Sequence, residues 1–294
     1  MHIDLVYMAI TTASLTAIYG LLAIGISIIW SSLGMINMAH GFTFAVSGYG
    51  AWLASQYIGQ NGFVVAGAGI VVGMACGALI AGLAFIPLYD KPNFPLRSLI
   101  ATLAISLIGA QCLLWVFGPR VKALPKIFGI GAVRIGTVVA SYDKIGAIVC
   151  SAVLLLVVLA WMKTSRRGLE IRAMMQNPEG AALVGVDLRS TAIAVMMVTG
   201  GLAGLAAVLL SQNYFVSPYS GTTPLVKGMV VALAGGLGSI AGAAIAAFLI
   251  GLVEALTAVE LGGQYVLMTQ FLLIIVILLI RPRGIGGMIQ HARV

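Results

Sequence analysis

Residues 5–30 read LVYMAITTASLTAIYGLLAIGISIIW, from Leu5 to Trp30, without one Asp, Glu, Lys or Arg. Spanning a bilayer takes about 20 apolar residues of α-helix. The stretch exceeds that length, is too long for the apolar core of a secretory signal, and has no basic segment before it. It reads as a retained transmembrane helix. Five further segments meet the same test: His40–Ile58, Phe63–Ile86, Leu96–Phe117, Ile145–Met162 and Thr191–Leu210. Tyr265–Ile280 is shorter but charge-free. The composition agrees. Apolar residues make up 61% of the chain and charged residues 8%, against roughly 25% charged in soluble domains. Eight carboxylates and sixteen Lys/Arg are too few to cover a water-exposed globule of this size. The expected fold is all-α: a polytopic transmembrane helical bundle of about eight membrane segments, including broken or re-entrant helices, forming a single domain over residues 1–294. The net charge of +8 does not point to nucleic acid, because the basic residues collect between the spans.

Those basic residues set the orientation. Lys163 to Arg189 holds five of them, its two end residues included, and the tail carries Arg281, Arg283 and Arg293; both segments are expected in the cytoplasm. The loop 118–144 is also basic, with Arg120, Lys122, Lys126, Arg134 and Lys144, but parity puts it outside. It would there meet lipid headgroups or the acidic lobes of an external protein. Parity also requires Leu225–Ala258, interrupted by Gly235-Gly236-Leu237-Gly238-Ser239, to begin and end on the outer side. It does so either as a re-entrant half-helix with a returning helix or as two short tilted spans. Broken helices at membrane depth are tolerated where they face protein or a water-filled cavity. Gly238 and Ser239 are therefore candidate wall residues of a polar path. A weak echo links Ser32-Leu33-Gly34-Met35-Ile36 to Gly236-Leu237-Gly238-Ser239-Ile240, as internal repeats in membrane proteins do.

Chemistry-bearing motifs are sparse. There is no G-x-x-x-x-G-K-[ST] phosphate loop. The three histidines, His2, His40 and His291, are scattered, and no His/Cys/carboxylate group has metal-ligand spacing. No nucleophile and base can be paired, so an enzyme is not indicated. Cys76, Cys112 and Cys150 lie in apolar runs and read as small core-facing side chains. The informative segment is the loop 163–190. Asn177 is a good N-cap, Pro178 suits the first helical position, Glu179 favours the positive helix end, and Gly185 is a plausible stop. A short helix Pro178–Val184 follows, with Leu169–Gln176 helical before it. Together they would make a knob bearing Met174, Met175, Leu183 and Val184. A plain tie between spans needs fewer residues, so the knob reads as a docking element for a cytoplasmic motor. Its candidate contact residues are Arg166, Arg167, Glu170, Arg172, Asn177, Pro178 and Glu179.

Polar residues inside a membrane mark pathways or helix contacts. Asn37 and His40, at the start of an apolar span, are either pathway residues or a capped helix start. Glu254 is the carboxylate of a confident apolar stretch and could neutralise a partner, line a cavity or snorkel outward. Gly69, Gly73, Gly77 and Ala81 repeat every fourth residue, a face that admits a close helix neighbour, within the chain or in another subunit. Gly200, Gly201 and Gly204 read the same way.

Several motifs, in order, carry a resemblance. They are Leu33-Gly34-Met35-Ile36-Asn37-Met38-Ala39-His40-Gly41, Leu99-Ile100-Ala101-Thr102-Leu103, Arg167-Gly168 to Val186-Asp187 with Gln176-Asn177-Pro178-Glu179, Lys227-Gly228, Gly235 to Ala243, Gly251-Leu252-Val253-Glu254 and Arg281-Pro282-Arg283-Gly284. With them the chain resembles the permeases of branched-chain amino-acid ABC transporters, of the shorter of the two types that pair. Where members of that family often carry Phe, this chain has Met38. The resemblance implies a multi-pass protein of the bacterial inner membrane, moving branched-chain or related amino acids inward by ATP-driven alternating access. It implies a second homologous permease subunit, two cytoplasmic ATPase subunits and an extracytoplasmic solute-binding protein, with membrane lipid around them. ATP belongs to the partner subunits, and no cofactor is expected on this chain. Asn177–Glu179 resembles the family's ATPase-contacting element. The alternatives are a permease for urea or another small polar solute, a stand-alone solute channel, and an ion-coupled transporter.

Overall fold

The computed structural model describes residues 5–135 and 138–287; His2, His291 and Arg293 lie outside them. The chain forms α1 (Leu5–Leu33), α2 (His40–Tyr57), α3 (Gly62–Ile80, widened by a π turn at Ala81–Phe85) and α4 (Phe94–Phe117). A hairpin of β1 (Ala132–Ile135) and β2 (Val138–Ser141) precedes α5 (Tyr142–Thr164). Then come α6 (Arg166–Gln176), α7 (Pro178–Leu183), α8 (Leu188–Leu210), α9 (Thr222–Gly235), α10 (Ile240–Glu260) and α11 (Val266–Ile280). Among the described residues seven helices are long and apolar enough to cross a membrane. The other four helices fall short of that test: α2 carries polar residues along its length, α9 has 14 residues, and α6 and α7 have 11 and 6. The bundle is the all-α polytopic one expected from the sequence. The antiparallel hairpin, pairing Ala132 with Ser141, is an unforeseen exception inside loop 118–144.

Local sequence sets the helix starts. Asn61 accepts from Phe63 N, Ser141 from Asp143 N, and Asp187 from Arg189 N, each satisfying an amide that has no partner within its helix. Burial then sorts the helices. The most apolar windows of α1 and α8 are 78% and 72% buried, whereas those of α4, α5 and α11 are 17% buried. The first two form the centre of the bundle and the last three its periphery.

Lipid tails are as apolar as leucine, so membrane helices gain from close packing rather than from leaving water. The α3–α8 seam shows this. A methyl group added at Gly73 would strike the Gly200 carbonyl, one at Gly77 the Met196 carbonyl, and one at Gly204 the Gly69 carbonyl. The two glycine stripes read from the sequence are thus the two halves of one contact within the chain. Of the cysteines, Cys76 faces the core as expected, but Cys112 is exposed on α4 and Cys150 is half-buried. Both lie on the weakly buried outer helices.

Candidate functional site

One end of the bundle carries the knob α6–α7; the other carries the hairpin. Ser165 caps α6 by accepting from Gly168 N at 2.9 Å, and Asn177 caps α7 by accepting from Gly180 N at 3.2 Å. Pro178 stands in the first turn, and Gly185 ends α7 at φ +88° while Val186 N returns to the Ala181 carbonyl at 3.0 Å. Ile171 and Met174, one turn apart on α6, are fully buried against the bundle. Leu183 and Val184, which the knob also bears, do not join them. They project outward, 88% and 80% exposed, because the Gly185 stop turns the end of α7 away from the core. Arg166 and Arg167 flank Glu170 at 4.0 and 2.9 Å on the exposed surface. Arg172 donates to the Lys163 carbonyl at 3.1 Å and so ties α6 back onto α5. Glu179 stands near Tyr89 in the α3–α4 turn; burial, then the Asp90 and Glu179 carboxylates, push that phenol up from its usual range. Arg189 bridges to Asp90 at 3.3 Å.

Two breaks interrupt the helices at membrane depth. After α1 the chain doubles back at Gly34 (φ +65°), and α2 begins deep inside the bundle. His40 lies against the middle of α8: a methyl on Gly25 would stand 3.4 Å from His40 Nε2 and 3.6 Å from Thr199 Cβ. The non-helical backbone is satisfied locally. Asn37 Oδ1 accepts from Ala39 N at 3.0 Å, and Thr102 Oγ1 of α4 accepts from Met38 N at 3.1 Å and donates to the Ile36 carbonyl at 3.4 Å. Asn37 and His40 are buried; Asn37 braces the turn before α2, whereas His40 Nε2 has no hydrogen-bond partner among the described residues. They start a helix inside the core rather than at its surface.

The second break lies beside the first. After α8, residues 211–221 run non-helically from the hairpin end, with Val216 paired to Lys122 through two 2.8 Å bonds. They reach Gly221, whose backbone abuts Gly41 at the start of α2 so closely that neither residue could carry a side chain unmoved. There α9 begins, and it ends at the knob end. The turn 236–239 leads into α10, which Ser239 caps by accepting from Gly242 N at 3.0 Å. The segment is therefore a half-helix followed by a returning helix, and its descent starts at residue 211 instead of 225. Gly236 and Gly238 both have φ +91°, and Gly238 sits against Ser31 of α1. The two halves of the sequence echo are thus neighbouring helix breaks. The tail closes this corner: Ile285 N and Gly286 N donate to the Ala234 and Gly235 carbonyls at 2.9 and 2.8 Å. Those acceptors would otherwise lack partners at the end of α9. Asn213, Tyr214, Phe215 and Tyr219 of the descending segment are exposed, and the Tyr219 hydroxyl accepts from Gln111 of α4 at 3.1 Å.

Glu254 has a partner that sequence reasoning missed. Lys227 of α9 reaches its Oε1 at 2.7 Å, both residues 8% exposed. Tyr19 of α1 donates to the same oxygen at 3.1 Å and accepts from Lys227 at 2.9 Å, and Gln270 of α11 donates to Oε2 at 2.7 Å. Four helices meet at this polar cluster. The available signal was a lone lysine in one apolar run and a lone carboxylate in the next. The outer loop differs from expectation too. Lys126 pairs with Asp143 and donates to the Gln212 carbonyl, Lys122 lies over Trp52, and Lys144 lies over Tyr7. These three lysines stitch the loop to the bundle; Arg120 and Arg134 remain exposed.

Residues 8–280 match the sequence model of the family described as branched-chain amino acid transport system / permease component. The chain is 30% identical over 282 residues to the high-affinity branched-chain amino acid transport system permease protein BraD of Pseudomonas aeruginosa, covering 92% of this chain and 91% of the relative. It is 30% identical over 288 residues to the corresponding protein LivH of Escherichia coli K12, covering 93% and 92%. Its fold is similar to a chain of PsaBC from Streptococcus pneumoniae solved in complex with Fab, with TM-score 0.53, 14% identity, and coverage of 93% of this chain and 91% of that one.

Proposed function

The chain belongs to the family of branched-chain amino acid transport permeases, and from that premise we propose that it forms half of the membrane pathway of an ATP-driven importer for branched-chain or related amino acids. It is a multi-pass inner-membrane transport subunit, not an enzyme. The partners are a second homologous permease, two ATPase subunits that bind the ATP, and an external solute-binding protein. The knob end faces the cytoplasm, in keeping with its basic residues, and the hairpin end faces the binding protein.

One observation carries the reading: α6–α7 is self-capped, seated on the bundle through Ile171 and Met174, and presents Leu183 and Val184 bare. Exposed apolar side chains on a rigid mount are what a second protein would grip. Motion of the ATPases would pass through α6 to α1 and α8, and through the Ser31–Gly238 contact to the α9–α10 break. The solute would pass beside residues 211–221, where non-helical backbone and the hydroxyls of Tyr214 and Tyr219 are open at membrane depth. Asn37, His40, Glu254, Gly238 and Ser239 shape that route from behind it, holding the breaks in place. The test is reconstitution in liposomes with and without the ATPases. Uptake of radiolabelled leucine should require the ATPases and ATP hydrolysis. Flux through this chain alone would favour a stand-alone channel and overturn the reading.

A further inference from the structure

Helices α5 and α10 each pack along α1 yet make almost no contact with each other. Between them lies a cleft of about 690 Å³, floored by Ala9, Ala13, Ala17 and Gly20 of α1. Leu156 and Phe248 on its rim are 67% and 51% exposed, so it opens sideways, toward lipid in the membrane. The cleft follows α1 from Met8 to Ile24, about 24 Å at the helical rise. The apolar lining along that length suits an extended alkyl chain.

At the hairpin-end mouth, Lys144 Nζ lies 4.2 Å from the Tyr7 ring centroid and donates to Thr11 Oγ1 at 2.7 Å. Among the described residues no carboxylate is within ion-pair distance of it. A lysine beside a tyrosine at a helix end is the arrangement of a headgroup anchor. We propose that the cleft is a phospholipid site. The phosphate lies at Lys144, and one alkyl chain runs along the alanine floor.

The full-length chain, reconstituted in vesicles of phosphatidylethanolamine and phosphatidylglycerol bearing an acyl-chain diazirine, tests this. Photolabelling should concentrate on peptides of α1, α5 and α10, and Ala17→Phe, which fills the floor, should reduce it about ten-fold. Lys144→Ala should lower lipid retained through detergent exchange about five-fold, as loss of one basic residue near a membrane surface would. If Ala17→Phe does not elute as a monodisperse species, Ala152→Trp on the rim takes its place. Labelling no denser in the cleft than around Ile108 and Trp115 on exposed α4 would overturn the site. So would labelling indifferent to both substitutions. Loss of cleft labelling whenever a second permease copy is present would show a protein occupant and overturn it as well.

Discussion

Lys227 and Glu254 do not share their burden equally. Without Lys227, the Glu254 carboxylate keeps two donors, Tyr19 and Gln270; without Glu254, the ammonium keeps one acceptor, the Tyr19 hydroxyl. Removing one partner of a buried ion pair costs about 3–5 kcal/mol, whereas replacing both by apolar residues is often neutral. Glu254→Leu should therefore lower the detergent melting temperature more than Lys227→Met, and Lys227→Met with Glu254→Met should recover most of the loss. Equal losses from the two single variants, or a double variant worse than both, would show that the cluster is not an ion pair of the kind described. Uptake should stay impaired in the stable double variant, since the pair also sets where α9 sits against α1, α10 and α11.

At the scale of elements, the knob separates what holds it from what it offers. Arg172 belongs to the holding side through its bond to the Lys163 carbonyl, so it is a poor probe of docking. Leu183, Val184, Arg166 and Arg167 are exposed, and surface substitutions of that kind usually move stability by about 0.5 kcal/mol or less. Leu183→Asp with Val184→Asp, or Arg166→Glu with Arg167→Glu, should leave the melting temperature near wild type while cutting ATP-driven uptake at least about ten-fold, measured beside ATPase release from the complex. Full uptake by both variants would remove the docking role. The helices of the knob were legible beforehand because capping is local: Asn177, Pro178 and Gly185 act within one turn of themselves. The apolar spans were legible by length, and the glycine stripes by spacing. What escaped was non-local. Nothing near Lys227 in the chain names Glu254 as its partner, and the exposure of Leu183 depends on the direction of α7. The interruption at Gly235–Ser239 was located from glycine, but the depth at which α2 begins depends on Gly25 and Thr199, which lie on other helices.

Across the whole molecule, the end of α1, the turn between α9 and α10 and the tail meet in one corner. Gly238 faces Ser31, the tail amides seal the end of α9, and α1 runs from this corner past the lysine–glutamate cluster to the hairpin end. Of the central helices, α8 is gripped along its length: the α3–α8 seam has no room for a side chain, so a transport motion has little freedom there. The α9–α10 unit also packs along α1, with Gly251 against Thr12 and Thr16 and Gly228 against Leu22, but its turn at Gly236 and Gly238 is held by a few backbone bonds. Packed interfaces move between discrete arrangements instead of deforming smoothly, so this corner is where the chain should shift when the ATPases close. A side-chain carbon at Gly238 would lie 3.2 Å from Ser31 Cβ, a few tenths of an ångström short of the roughly 3.5–4.5 Å found in disulfides. Ser31→Cys with Gly238→Cys should therefore cross-link under mild oxidation, at some cost in melting temperature because Gly238 has φ +91°. If the corner opens during transport, the oxidised protein should lose most of its ATP-driven uptake and regain it on reduction, with either single cysteine variant unaffected by oxidant. Unchanged uptake in a fully cross-linked sample would fix α9–α10 to α1 throughout the cycle and move the gate elsewhere in the paired permeases.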